Sequence, residues 1–250
     1  MLSPFFRFLP LRLKKLSYIL FHPFAFPYLF RGVSPSAEHL RILSFISPSQ
    51  IDIFFDVGSN NGQFLLLLRS VPSTSRHPVV CFEPLHSAFS LLKRLFFFQE
   101  NTTMYNIALG ASPSKAILNV PSSPDSSSLL PVSSLQSQFY GVRSTKRYQE
   151  VQVDTLDSYL YVHSAENAFL KLDVQGYELE VLRGCTDLRR HFRYIYLEAS
   201  FVSLYEGQPL ASEIIAHLYS SGYSLVAFEN ADRFYNSPKL AQSDLLFERQ

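Results

Sequence analysis

Four carboxylates, Asp56, Glu83, Asp173 and Glu198, each follow a short apolar run rich in β-branched and aromatic residues. Runs of this kind predict buried strands, so each acid stands at the carboxyl end of a predicted strand. In an open α/β sheet the ligand crevice lies along that rim. One acid there is ordinary, but four in succession point to a site for a polyhydroxylated or cationic ligand. Glu83 is placed to accept hydrogen bonds from both ribose hydroxyls of a nucleoside, and Asp56 to lie near an ammonium or sulfonium end. Asp173 and Glu198 would face a substrate and orient or deprotonate an attacking hydroxyl. Capping of the following turns is the alternative role for these last two.

The turn that would hold the ligand is Asp56-Val-Gly-Ser-Asn-Asn-Gly62, between the strand from Ile51 and a helix from Gln63. Gly58 and Gly62 allow a sharp turn and let a ligand lie against main-chain N–H groups where the helix begins. A dinucleotide fingerprint needs glycine at its second position so that pyrophosphate can approach. Asn60 stands there instead, which disfavours pyrophosphate and ranks a nicotinamide dehydrogenase last.

The elements that must position these residues follow in order. Pro35 to Ile46 reads as a helix with Ser36 as its cap, and strands are expected at Ile51–Val57, Val79–Phe82, Thr102–Leu109, Ala168–Asp173, Tyr194–Leu197, Tyr223–Phe228 and Ser243–Arg249. A short strand is also expected near Lys115–Val120, and Val151 and Val153 alternate with polar neighbours. Helical patterns fall between the main strands at Leu85–Gln99, from Thr155, from Tyr177, and at 209–220. Repeated strand and helix units predict a mostly parallel sheet with helices on both faces. The Ser/Pro-rich stretch between Pro121 and Gly141 reads as a mobile loop, favoured as a lid over the site.

At 250 residues, with 47% hydrophobic and 17% charged residues, the chain can bury a full core. A formal net charge of +1 gives no global case for nucleic acid. Cys81 and Cys185 are expected as buried reduced thiols, no metal site is expected, and the oligomeric state is open. Residues 1–37 form a separate arm in which Arg7, Arg12, Lys14, Lys15 and Arg31 alternate with aromatics, with no acid before Glu38. Such an arm suits peripheral contact with an anionic membrane or packing on the domain. It is interrupted by Pro10, Pro23 and Pro27, so it is not expected to span, and it lacks a small-residue cleavage site. The expected location is the cytoplasm, with peripheral attachment at the inner face of the membrane.

Five ordered blocks carry a resemblance: Phe55-Asp-Val-Gly-Ser-Asn-Asn-Gly62, Phe82-Glu-Pro84, Asn106-Ile-Ala-Leu-Gly110, Val153-Asp-Thr-Leu-Asp157 and Leu170-Lys-Leu-Asp-Val-Gln-Gly-Tyr-Glu178. Together they resemble the FkbM family of S-adenosylmethionine-dependent methyltransferases, over roughly 35–249. The resemblance implies a class I methyltransferase fold for 38–250, Rossmann-like with an antiparallel last strand. It also implies O-methylation of a hydroxyl on a sugar, glycolipid, polysaccharide or similar metabolite. It places Asp56, Gly58, Asn60, Gly62, Glu83 and Ala108 with the cofactor and Asp173 near the point of methyl transfer. Ser59 stands where the family often has Ala, Gln175 where it often has Glu, and Leu85-His86 where Asn-Pro is more usual. The Gln175 substitution moves the expected base to Asp173 or Glu198. A cofactor-free binding protein tethered by its N-terminus, or a metal-assisted O-methyltransferase, would share many of these features.

Overall fold

The computed structural model describes residues 26–145, 147–163, 165–234 and 238–250. The basic residues of the arm before Phe26 lie outside the described residues. Among the described residues no helix is long and apolar enough to cross a membrane.

The main sheet has seven strands: β1 (Phe54–Val57), β2 (Val79–Phe82), β3 (Thr102–Tyr105), β7 (Ala168–Leu172), β8 (Phe192–Ser200), β9 (Tyr223–Arg233) and β10 (Leu240–Arg249). Their order across the sheet is β3-β2-β1-β7-β8-β10-β9, and β10 alone runs against its neighbours. This is the expected mixed α/β, class I methyltransferase-type sheet, with its switch point between β1 and β7. A second sheet joins β4 (Ala108–Leu109), β6 (Tyr148–Asp154) and β5 (Ser114–Asn119). The helices Gln63–Ser70, His86–Phe96, Leu156–His163, Glu178–Arg183 and Ala211–Ser220 connect and cover the strands.

Both faces of β1 and β7 are buried, so their side chains alternate between two cores rather than between core and water. Phe55, Val57, Leu170 and Leu172 join one core, while Phe54, Phe64 and Phe169 join the other. On the second face the alternation turns polar toward the carboxyl ends. Strand register sets Asp56 beside Lys171 and Lys171 beside Tyr196, and it sets Glu198 beside Asp244. Spacing of two thus collects polar side chains on a single face of an otherwise apolar sheet.

Three differences from the expected elements have local causes. Pro35 to Ile46 is no continuous helix but the 3-10 turns Ala37–His39 and Ile42–Ser44, without a side-chain cap from Ser36. Its path is held instead by burial of Ile42, Leu43 and Ile46 and by the hydrogen bond of His39 to Tyr196. The expected strand Thr102–Leu109 divides between two sheets at Asn106, whose side-chain amide donates to the carbonyls of Glu83 and Pro84. The Ser/Pro stretch contains a 3-10 turn, Pro124–Ser126, and a helix, Ser134–Tyr140, capped by the Ser133 hydroxyl. Bridges Asn119 to Ser128 and Val132 to Tyr205 tie this stretch to the body.

Candidate active site

The first turn is built as its glycines require. Gly58 has φ +79°, and a Cβ placed there would lie 1.9 Å from the Asp173 carbonyl oxygen, so only glycine lets the β1 turn cross the end of β7. The N–H groups of Gly58 and Ser59 both donate to the Phe82 carbonyl, drawing the turn against the end of β2. There the Glu83 carboxylate accepts from the Asn60 N–H at 2.8 Å and from the Leu85 N–H at 2.7 Å. Each oxygen keeps a further lone-pair direction for a ligand hydroxyl. Burial pushes the Glu83 carboxyl up to about 7, and the Asp56 charge adds to this, while its backbone donors and Lys171 oppose it.

An open cleft begins at this turn and includes Gly58, Asn60, Glu83, Ala108, Asp173 and Gln175 in its walls. Pro124, Asp125, Ser127, Ser128 and Leu129 close one side. The Ser/Pro segment is held there by Asn60 Nδ2 donating to Asp125 Oδ1 at 3.0 Å and by the Ser128 hydroxyl donating to the Gln175 carbonyl at 2.7 Å.

A second, open cavity lies on the polar face of the sheet, among Glu38, His39, Lys171, Asp173, Tyr196, Glu198, Asn230 and Asp244. Asp173 borders both spaces. Its side chain is 37% exposed, with Lys171 Nζ at 3.8 Å. Gln175 donates to Asp173 Oδ1 at 2.7 Å and accepts from the Tyr205 hydroxyl at 2.7 Å, so the amide braces the carboxylate. Gln175 has φ +56°, and the buried Glu178 carboxylate stabilises its turn by accepting from the Val174 and Gly176 N–H groups. Burial raises the Glu178 carboxyl to about 7.

Two sequence assignments change. Asp56 is fully buried and outside the cleft wall, its Oδ1 being 3.0 Å from Lys171 Nζ. Its strand position, the third of four residues, turns the side chain into the sheet interior rather than over the rim. Gly62, also outside the wall, starts the helix Gln63–Ser70; a Cβ there would approach Phe96 at 2.5 Å and Leu92 at 2.7 Å, so it serves helix packing. Gly58, Asn60, Glu83 and Ala108 do meet in the cleft.

Glu198 is within β8 rather than at its end, because pairing with β10 extends that strand to Ser200. It still borders the second cavity and accepts from Gln242 Nε2 at 2.8 Å. Burial, followed by the charges of Asp173, Asp244 and Glu178, holds its carboxyl well above the usual range. Sequence reasoning missed Lys171, His39, Tyr196, Asn230 and Asp244. Lys171 and Asp244 were detectable as charges inside apolar strands, where burial demands a partner. Burial would lower the Lys171 ammonium, but the Asp56 and Asp173 charges outweigh it and raise it.

The chain matches the family model described as the methyltransferase FkbM domain over residues 56–225. It belongs to the FkbM methyltransferase family. A solved FkbM methyltransferase from Methylobacillus flagellatus KT is 14% identical, with TM-score 0.51, over 79% of this chain and 44% of that one. The chain thus spans less than half the length of that relative, and their likeness is one of fold. Fibrillarin from Aeropyrum pernix with bound S-adenosyl-L-methionine aligns at 12% identity and TM-score 0.44, over 80% of this chain and 68% of that one. No curated protein matches the chain.

The lining of the cleft fits S-adenosylmethionine, the cofactor that the family resemblance implies. Glu83 offers acceptors for ribose hydroxyls, Gly58 and Asn60 bring main chain close, and Leu85, Ala108 and Leu118 supply apolar walls for a base. Among the described residues no cluster of three or more His, Cys, Asp or Glu is arranged to hold a metal ion.

Proposed function

We propose that the protein is an S-adenosylmethionine-dependent O-methyltransferase. Its acceptor is a neutral or cationic polyhydroxylated metabolite, such as a sugar within a glycolipid or polysaccharide. The observation that carries this reading is the position of Asp173 in the walls of both the cleft and the second cavity. Gly58, Asn60, Glu83 and Ala108 bind the cofactor on one side, and the polar cavity receives the acceptor on the other. When bound, the cofactor supplies an activated methyl group.

The chain's own task is to hold an acceptor oxygen in line at near-contact distance, which can contribute several kcal/mol. Asp173, braced by Gln175, accepts from the acceptor hydroxyl and orients it. Glu198, whose carboxyl is held above the usual range by burial and then by its acidic neighbours, favours the protonated form and donates to a neighbouring acceptor oxygen. The carboxylates Asp173 and Asp244 outnumber Lys171, which is already shared between Asp56 and Asp173, so anionic acceptors are disfavoured. Peripheral contact with an anionic membrane is consistent with exposed Phe97 and Phe98 beside Lys93 and Arg94, and would suit a lipid-linked sugar.

The test is transfer of a labelled methyl group into cell extracts divided into neutral, cationic and anionic fractions. Label should enter neutral or cationic hydroxylated material as an ether. Label confined to anionic material, or bound through nitrogen, would refute the reading.

A further inference from the structure

His39 reaches the second cavity from the segment before β1, and Asp244 and Asn230 reach it from β10 and β9. His39, Asn230 and Asp244 all fall outside the matched residues 56–225. His39 Nδ1 lies 2.6 Å from the Tyr196 hydroxyl and 3.3 Å from Asp244 Oδ2. The Tyr196 hydroxyl is in turn 2.6 Å from the same Asp244 oxygen, which also accepts from Asn230 Nδ2 at 2.7 Å.

The protons in this group can be counted. Tyr196 has one hydroxyl proton, and an ionised Asp244 can only accept. If that proton pointed to His39, two oxygens would stand 2.6 Å apart with no hydrogen between them. Tyr196 therefore donates to Asp244, and His39 Nδ1 must carry the hydrogen that it directs at Tyr196 and Asp244. Neutral His39 then has its free lone pair on Nε2, and the ring's hydrogen bond among the described residues is made through Nδ1. Edge contacts with Phe64 and Tyr196, at 6.1 and 5.5 Å between centroids, hold the ring in place. Burial favours protonation of Asp244, but the hydrogen bonds from His39, Asn230 and Tyr196, with the charge of His39 once it is protonated, outweigh it and lower its pKa.

We infer that His39 Nε2 is the general base that takes the acceptor's hydroxyl proton, with Asp244 as the residue that positions and charge-stabilises it. The inference rests on the methyl-transfer reading above. The acceptor oxygen forms a bond to the methyl carbon, the carbon–sulfur bond breaks with its electron pair remaining on sulfur, and the hydroxyl proton passes to Nε2. The resulting imidazolium is held by the Asp244 carboxylate. Asp173 is left the orienting part, and in this arrangement it accepts from a neighbouring hydroxyl of the acceptor rather than from the one that is methylated. Lys171 is already engaged with Asp56, and burial disfavours the ionised form of Glu198 that would be needed to take the proton. The titratable groups facing His39 across the cavity are Glu38, Lys171, Asp173, Tyr196, Glu198 and Asp244.

Nitrogen NMR of the full chain labelled in its histidine rings, without cofactor or acceptor, tests the tautomer. A hydrogen on Nδ1 and none on Nε2 is expected, and Asp244→Asn should disturb that preference. A hydrogen fixed on Nε2 would overturn the inference, whether or not the protein methylates anything. Kinetics follow with the labelled hydroxyl fraction from the extract experiment. His39→Gln should lower kcat at least ~10²-fold with KM changed less than ~3-fold, and should abolish the acidic limb of the pH profile. Asp244→Asn should lower kcat by less than His39→Gln does, with KM little changed. Persistence of the limb in His39→Gln would remove the assignment. Failure of the wild-type protein to transfer any label would count instead against the methyl-transfer reading, with the NMR result still standing on its own.

Discussion

The two spaces that meet at Asp173 are built differently. The cofactor cleft is made of local pieces, a glycine turn after β1, an acid after β2 and a turn after β7, and all its walls fall between Val57 and Tyr177. The second cavity is assembled from distant ones, with Glu38 and His39 from before the first strand and Asn230 and Asp244 from the last two. In the proposed reading, cofactor recognition resides in the part matched by the family, whereas acceptor recognition draws on both flanks of residues 56–225.

The division can be broken most forcefully at its foundation. Lys171→Met leaves the fully buried Asp56 carboxylate without its partner and should cost about 3–5 kcal/mol, read by urea unfolding. Asp56→Leu combined with Lys171→Met should recover most of that loss. A single variant as stable as the wild type would mean that the ion pair does not support the polar face. Next in size, Gly58→Ala adds a left-handed residue and a clash with the Asp173 carbonyl, and should destabilise by about 3 kcal/mol.

At the boundary itself, Asp173→Asn should keep affinity for S-adenosylhomocysteine within about threefold while turnover falls at least ~10²-fold. Equal loss of both would show that the two spaces are not separable at this residue. The smallest effect is expected at Asp125, whose exposed bond to Asn60 holds the Ser/Pro segment over the cleft. Asp125→Ala should cost about 1 kcal/mol or less in stability and speed cofactor release, measured by stopped flow.

What the sequence made legible follows the same division. Glu83 and the Gly58 turn could be read because their role depends on a few consecutive residues at a strand end. Asp56 was misplaced because its exposure turns on which of two successive residues faces inward, and the strand boundary alone does not settle that. Glu198 was put at the end of a strand that β10 extends, a pairing between residues more than forty apart. The Pro35–Ile46 segment carried helical spacing, yet its contacts with β8 and β10 override local propensity. His39 had no local signature, and its relation to Asp244 exists only after seven strands are ordered.

Glu83 provides the most direct test of the central claim that the cleft is a nucleoside site. Its carboxyl rises from 4.5 to about 7 on folding without ligand, so the protonated form contributes about 3 kcal/mol of stability. That contribution is complete below about pH 4.5 and is lost as the pH rises through about 7. Ribose hydroxyls need the ionised acceptor, so binding should strengthen over the upper part of that interval. Calorimetric titration of wild type and Glu83→Gln with S-adenosylhomocysteine, from about pH 5.5 to about pH 8.5, measures this directly. The account predicts that wild-type affinity increases with pH about the Glu83 transition, and that Glu83→Gln binds at least ~10-fold more weakly at the upper end with that dependence removed. Equal affinity of the two proteins across the range, or no binding by either, would contradict it.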